Sequence, residues 1–167
     1  MIESIIAGII SGIIASITFF IMMRGLKPKI LVSDDIALEE ESNNTCIYRV
    51  KVVNKSKADL SNIEYRLYYC RVQPNGFMID IQEIKPIKEP FSLMCKYTPT
   101  SDLCEYAYRI SYDIDREKFP INDQNYLMFS ISAEHSVSNT MKSVSKKYYS
   151  QNVKRGKFET GVSLRIL

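Results

Sequence analysis

Few residues in this chain stand at spacings that suit bond-making chemistry. The nearest thing to a catalytic pair is Asp113-x-Asp115, followed by Arg116 and Glu117. Two carboxylates so placed could share acid and base work, but the stretch reads more simply as a solvated turn at a strand end. Lone His135 reads as a strand-end residue, either at the surface or in packing, and Glu39-Glu40-Glu41 as a charged loop run. The four cysteines, Cys46, Cys70, Cys95 and Cys104, are scattered with no CxxC and no Cys/His pair, so a zinc site is not expected. There is no GxSxG, no Gly-rich phosphate loop, no HExxH and no triad order. The residues therefore argue against an enzyme, and no cofactor or metal is expected.

The remaining chemistry lies in the cations. Lys142, Lys146, Lys147, Lys154, Arg155 and Lys157 follow one another with no acid between them, although the whole chain carries a net charge of only +3. Ammonium and guanidinium groups donate to phosphates and carboxylates. Lys146, Lys147, Lys154 and Arg155 are therefore the candidates for an anionic ligand such as a nucleotide. The competing and simpler reading is a solvated hairpin face whose lysines discourage edge-to-edge pairing. A second basic group, Arg24, Lys27 and Lys29, sits just past an apolar run and suits anionic lipid headgroups.

That run, SIIAGIISGIIASITFFIMM at 4–23, has no charged residue. Twenty residues at about 1.5 Å each match the roughly 30 Å of a bilayer core. A signal peptide would begin basic, have a shorter apolar core and end at small residues. Here Glu3 precedes the run and Phe19-Phe20-Ile21-Met22-Met23-Arg24 closes it, so an anchor is expected. Lys and Arg lie only on its C-terminal side, which places residues 30–167 in the cytoplasm and the N-terminus outside. The sequons at Asn43 and Asn54 are then chance matches. Counting alone allows two disulfides, and the cytoplasmic placement favours reduced thiols instead.

On a helical wheel, Ser4, Ala7, Gly8, Ser11, Gly12, Ala15, Ser16 and Thr18 share one half, and the isoleucines from Ile6 to Ile17 share the other. Gly8-x3-Gly12-x3-Ser16 and Ala7-x3-Ser11-x3-Ala15 form adjacent rows of small residues. Such rows let helices approach closely in lipid, where packing drives association. They point to a homo-oligomeric bundle, with Gly8, Ser11, Gly12, Ala15 and Ser16 as a packing or pore face. A plain anchor is the alternative.

After a basic juxtamembrane linker at 25–29 the periodicity changes to two. In TCIYRVKVV, Cys46, Tyr48, Val50 and Val52 alternate with Ile47, Arg49, Lys51 and Val53. NKSKADLSN is a polar turn, and Ile63, Tyr65, Leu67 and Tyr69 share one side of the next strand. QPNG marks a turn, and further strands are expected at 77–82, 90–97, 104–112, 125–134, 141–149 and 157–166, with SVSNT at 136–140 as a hairpin loop. The expected fold is mainly β: one N-terminal transmembrane helix (1–24) followed by an immunoglobulin-like β-sandwich at 30–167.

The order of segments resembles the cytoplasmic domain of inward-rectifier potassium channels. LKPKILVS is similar to that family's basic, Pro-containing exit from the inner helix. Arg49, Asn54, Ile63, Arg66, Leu67 and Arg71 in YRVKVVNKSKADLSNIEYRLYYCRV fall near its strand-turn-strand pattern, and Glu134, Tyr148, Gly156 and Phe158 near its closing motif. The resemblance spans roughly 27–160 and implies a tetramer-prone sandwich beneath a membrane helix. The chain shows no second membrane helix before the domain, no pore helix and no TVGYG-like filter, so filter-based potassium selectivity is not expected. The architecture is also similar to small membrane effectors of bacterial anti-phage systems, which answer a nucleotide signal. Together these readings anticipate an oligomeric inner-membrane effector or ligand-gated pore component. The alternative is a non-conducting, membrane-tethered module that docks a partner protein encoded nearby, or anionic lipid.

Overall fold

The computed structural model describes residues 2–40, 46–73, 79–98, 105–122 and 124–167. Its helix, α1 (Ile2–Gly25), contains the 20-residue stretch Ser4–Met23, long and apolar enough to cross a membrane. In lipid only a helix or a closed barrel satisfies every backbone group internally, and this stretch takes the first course. Leu26 N–H donates to the Met23 carbonyl at 3.0 Å as the helix ends. Gly25 and Pro28 favour that stop, since Pro28 lacks the N–H a further turn needs. Beyond it the chain is extended, with Pro28 buried between exposed Lys27 and Lys29.

Two sheets follow. In the first, β1 (Ile30–Val32) and β2 (Ile36–Glu40) lie end to end along one side of β3 (Cys46–Asn54), and β6 (Ala107–Asp113) lies along the other. The short β9 (Val153–Arg155) joins β2 in parallel. The second sheet runs β5 (Ile79–Ile84), β4 (Leu60–Val72), β7 (Asn125–His135), β8 (Met141–Tyr148), antiparallel throughout. Tyr48, Val50 and Val52 from the first sheet share one core with Leu67, Leu127 and Phe129 from the second. This is a mainly β, two-layer domain, compatible with the immunoglobulin-like class expected. Burial of the large apolar side chains, each contributing about 1.5–3 kcal/mol, holds the layers together.

Period two places the face of β4 as expected, the strand expected at 125–134 is β7, and 136–140 is the hairpin connection between β7 and β8. Several expectations are corrected. Residues 90–97 form no strand, only a bridge from Met94 to Leu60. Phe91 and Met94 both pack into the core three residues apart, a spacing that period two cannot supply. Residues 157–166 likewise reduce to one bridge, Phe158 to Ile166, because the chain doubles back around Gly161 at φ 66°. Glu39 and Glu40 belong to β2 and not to a loop, and Glu39 accepts a hydrogen bond from Arg49 at 2.7 Å. Of the strand expected at 77–82, residues 79–82 lie in β5, which continues to Ile84; Phe77, Met78 and most of QPNG lie outside the described residues, as do Asn43 and Cys104. Asn54 is fully buried, its amide donating to the Ala58 and Cys95 carbonyls, so it is closed to glycosylation.

β3 departs from simple alternation: Lys51 and Val53, on its outer face, are as buried as the core side. The C-terminal segment covers Lys51. Lys51 Nζ donates to the carbonyls of Glu159 at 2.5 Å and Ser163 at 2.6 Å, and Arg109 donates to Glu159 as well. Three charge-assisted bonds to two carbonyls thus hold the tail across the first sheet.

Candidate functional site

The helix face comes first. Gly8, Ser11, Gly12, Ala15 and Ser16 are all exposed, and a Cβ added to Gly8 or Gly12 would meet nothing within 4 Å. Nothing described in this chain explains why those positions are small. The hydroxyls of Ser11, Ser16 and Thr18 turn back on the helix, donating to the carbonyls of Gly8, Gly12 and Ile14 at 3.1, 2.8 and 2.8 Å. They therefore cost little in lipid and call for no water.

The helix reaches the sandwich through a hydrogen-bonded junction. The Leu26 carbonyl accepts from Ser138 Oγ at 2.5 Å and Thr140 Oγ1 at 3.0 Å, both on the β7–β8 hairpin. The two hydroxyls lie 2.8 Å apart, and Ser138 Oγ is 3.2 Å from Nδ1 of His135. His135 is buried, so of its two expected positions packing is the observed one. On the other side, Lys29 N–H donates to Ser56 Oγ at 2.8 Å and Lys55 N–H to the Lys29 carbonyl at 2.7 Å. Two loops thus grip residues 26–29 within a few residues of the apolar span. Lys27 and Lys29 point to solvent; the Arg24 side chain lies outside the described residues.

The four cations proposed for an anionic ligand do not form one cluster. Lys146 is paired with Asp34, and Lys154 with Asp35 at 2.5 Å. The acids missing from the local sequence arrive from the turn between β1 and β2. Neighbours on a strand point to opposite faces, so Lys147 lies on the outer face, 5.0 Å from the centre of the Tyr126 ring. Arg155 alone lines a cleft of about 380 Å³, where Arg116 joins it beside Tyr48, Phe119 and Val153. Arg116 Nε donates to the Tyr48 hydroxyl at 3.3 Å.

No family model and no curated protein matches this chain. Its chemistry has to be read from its own groups. Among the described residues no cluster of His, Cys, Asp or Glu could hold a metal ion. Asp115 Oδ1 accepts the backbone N–H of Glu117 at 2.9 Å and closes a turn beginning at Asp115, while Asp113 ends β6 opposite Ile47, so the two carboxylates belong to a strand end and the turn after it. Cys46, Cys70 and Cys95 are free thiols. Burial pushes the Cys70 thiol up, and burial together with the neighbouring Glu105 carboxylate does the same for Cys95. Raised thiols are poor nucleophiles.

The residues that sequence reasoning missed are Ser56, Ser138 and Thr140 at the junction, Lys51 under the tail and Arg116 in the cleft. Ser138 and Thr140 lie in the loop SVSNT, but nothing in that loop shows which carbonyl they would meet. In the sequence Arg116 stands between Asp115 and Glu117, and nothing there points to the cleft.

Proposed function

We propose that this chain is an oligomeric inner-membrane effector or ligand-gated pore component, in which a cytoplasmic sandwich senses a ligand and controls a bundle of membrane helices. One observation carries the reading: the small-residue face of α1 is bare within the chain, while the end of the same helix is gripped by the sandwich. The isoleucine face is equally bare, as it would be in a simple tether, but a tether needs neither rows of small residues nor a gripped end. Bare small faces serve helix–helix approach, and a gripped linker transmits movement of the domain. Arg24, Lys27 and Lys29 set the orientation, N-terminus outside, and meet anionic headgroups. The ligand is anionic and sits in the cleft that joins Arg155 to Arg116, where apolar walls suit a nucleotide base and the guanidinium groups its phosphates. A nucleotide signal of anti-phage defence fits that chemistry, and the channel-domain resemblance favours a tetramer.

The test is the mass of the full chain in detergent, with dye release from liposomes, for the native chain and Gly12→Leu. An oligomer that Gly12→Leu disrupts, together with altered release, is the expected result. A strict monomer sinks the proposal. So does a Gly12→Leu chain that assembles and releases like the native one.

The self-bonded hydroxyls of Ser11, Ser16 and Thr18 favour a second reading, a dry and non-conducting bundle whose sandwich docks a partner protein or anionic lipid. An oligomer that never releases dye, with or without nucleotide, selects it.

A further inference from the structure

The second sheet has two free edges, and they carry opposite charge. β5 presents exposed Asp80 and Glu83; β8 presents exposed Lys142 and Lys147, while its Lys146 is already paired with Asp34. Among the described residues neither strand has a second partner. An open edge is a template for another strand. Like-charged β8 edges repel one another, whereas β8 and β5 attract.

The register shows where they would meet. Glu83 pairs with Tyr68, Tyr68 with Met128, and Met128 with Lys147. A single row therefore crosses the sheet from an acid at one free edge to a base at the other. Ile84, Leu127 and Tyr148 face the core, so alternation puts Glu83 and Lys147 on the same, outer face. Both are exposed.

The direction of the strands agrees. The β7–β8 hairpin grips Leu26, so β8 runs away from the membrane end of the domain. β4 begins at that end, where Leu60 pairs with His135, so β5 returns toward it. Copies in one bilayer are related by an axis along its normal, with no rise. For strands lying near that axis, β8 of one copy meets β5 of the next antiparallel and at equal height. Glu83 then stands opposite Lys147, with Cβ atoms about 4.5–5.5 Å apart. An antiparallel β8–β8 pair would need a two-fold axis across the strands, which would send one helix away from the bilayer.

We propose that the sandwiches assemble head to tail, the β5 edge of one copy docking on the β8 edge of the next through Glu83 and Lys147. The contact is heterologous and closes into a ring. It rests on the oligomeric reading above and assigns its cytoplasmic interface. The ladder is short, Gln82–Ile84 against Lys146–Tyr148, and confinement of the helices to one membrane raises the effective concentration that completes it. Lys147 thereby acquires a purpose beyond deterring aggregation: the same charge that blocks β8–β8 pairing selects β5.

The test co-expresses two full-length copies with different tags, one bearing Glu83→Cys and the other Lys147→Cys, and oxidises them in membranes with the unsubstituted chain as control. Facing strand residues lie within disulfide reach. A mixed-tag dimer is expected, and none when both copies carry Glu83→Cys or both carry Lys147→Cys. Absence of the mixed product from a chain that is oligomeric by mass overturns the proposal and leaves the oligomer standing. A chain that is monomeric by mass overturns both. As a second measurement, Lys147→Glu or Glu83→Lys alone should raise the concentration for half-assembly roughly threefold to thirtyfold. The double exchange should restore it, and failure to restore it also overturns the proposal.

Discussion

Removing both donors to the Leu26 carbonyl tests whether the sandwich and the helix are mechanically joined. Ser138→Ala and Thr140→Val each delete one hydroxyl from a carbonyl that now accepts two, at 2.5 and 3.0 Å. A neutral hydrogen bond contributes about 0.5–1.5 kcal/mol net, so either single change should cost the linker about 1 kcal/mol or less while the other donor remains. The double change leaves a partly buried carbonyl unpaired, for about 1–3 kcal/mol; about 2 is reasonable where water can partly replace the donors. That is roughly a thirtyfold shift in the equilibrium for lifting the linker. Amide exchange of the full chain in lipid nanodiscs reads it at Lys29, whose N–H donates to Ser56, and at Lys55, whose N–H donates to Lys29. Both amides should exchange about thirtyfold faster in the double variant, and the effect should exceed the sum of the singles. The Leu67 and Phe129 amides, in the middle of the second sheet, should not change. Native exchange rates at Lys29 and Lys55 in the double variant would refute the junction as a grip on the helix.

Two further outcomes follow from buried groups. Lys51→Met removes the ammonium that holds the carbonyls of Glu159 and Ser163, and should destabilise the chain by about 3 kcal/mol. Thermal unfolding and tryptic cleavage after Lys154 and Lys157 both read it; an unchanged melt with an unchanged tail would contradict the strap. Burial pushes the phenols of Tyr112 and Tyr148 well up from the ordinary value of 10.0. The folded state keeps them neutral while the unfolded chain ionises, so their contribution is complete below pH 10 and is lost as pH rises. By pH 11 each should cost about 1.4 kcal/mol. The Tyr112 hydroxyl has no hydrogen-bond partner, so Tyr112→Phe should be neutral or mildly stabilising at pH 7 and should remove its own share, about 1.4 kcal/mol at pH 11, from the alkaline loss. A denaturant titration from pH 8 to 11 that shows no loss would contradict this account.

What the sequence by itself determined rests on local rules. Twenty uncharged residues between Glu3 and Arg24 specify a helix suited to lipid, and the small rows through Gly8 and Gly12 follow from 3.6 residues per turn. Alternation grouped the residues of β3 and β4 into their two faces, because period two is a property of the extended chain itself. It failed at 90–97 and 157–166, where side chains pack or the chain reverses at intervals no strand allows. Only the tertiary structure decided what each charge does. Lys146 and Lys154 look like a free anion site until Asp34 and Asp35 arrive from more than a hundred residues away, and Lys51 looks solvent-facing until the tail covers it. The Glu83–Lys147 row likewise exists only once four strands are in register. A charge acts through whatever lies within a few ångströms of it, and across a sandwich that neighbour is set by sheet pairing and not by distance along the chain.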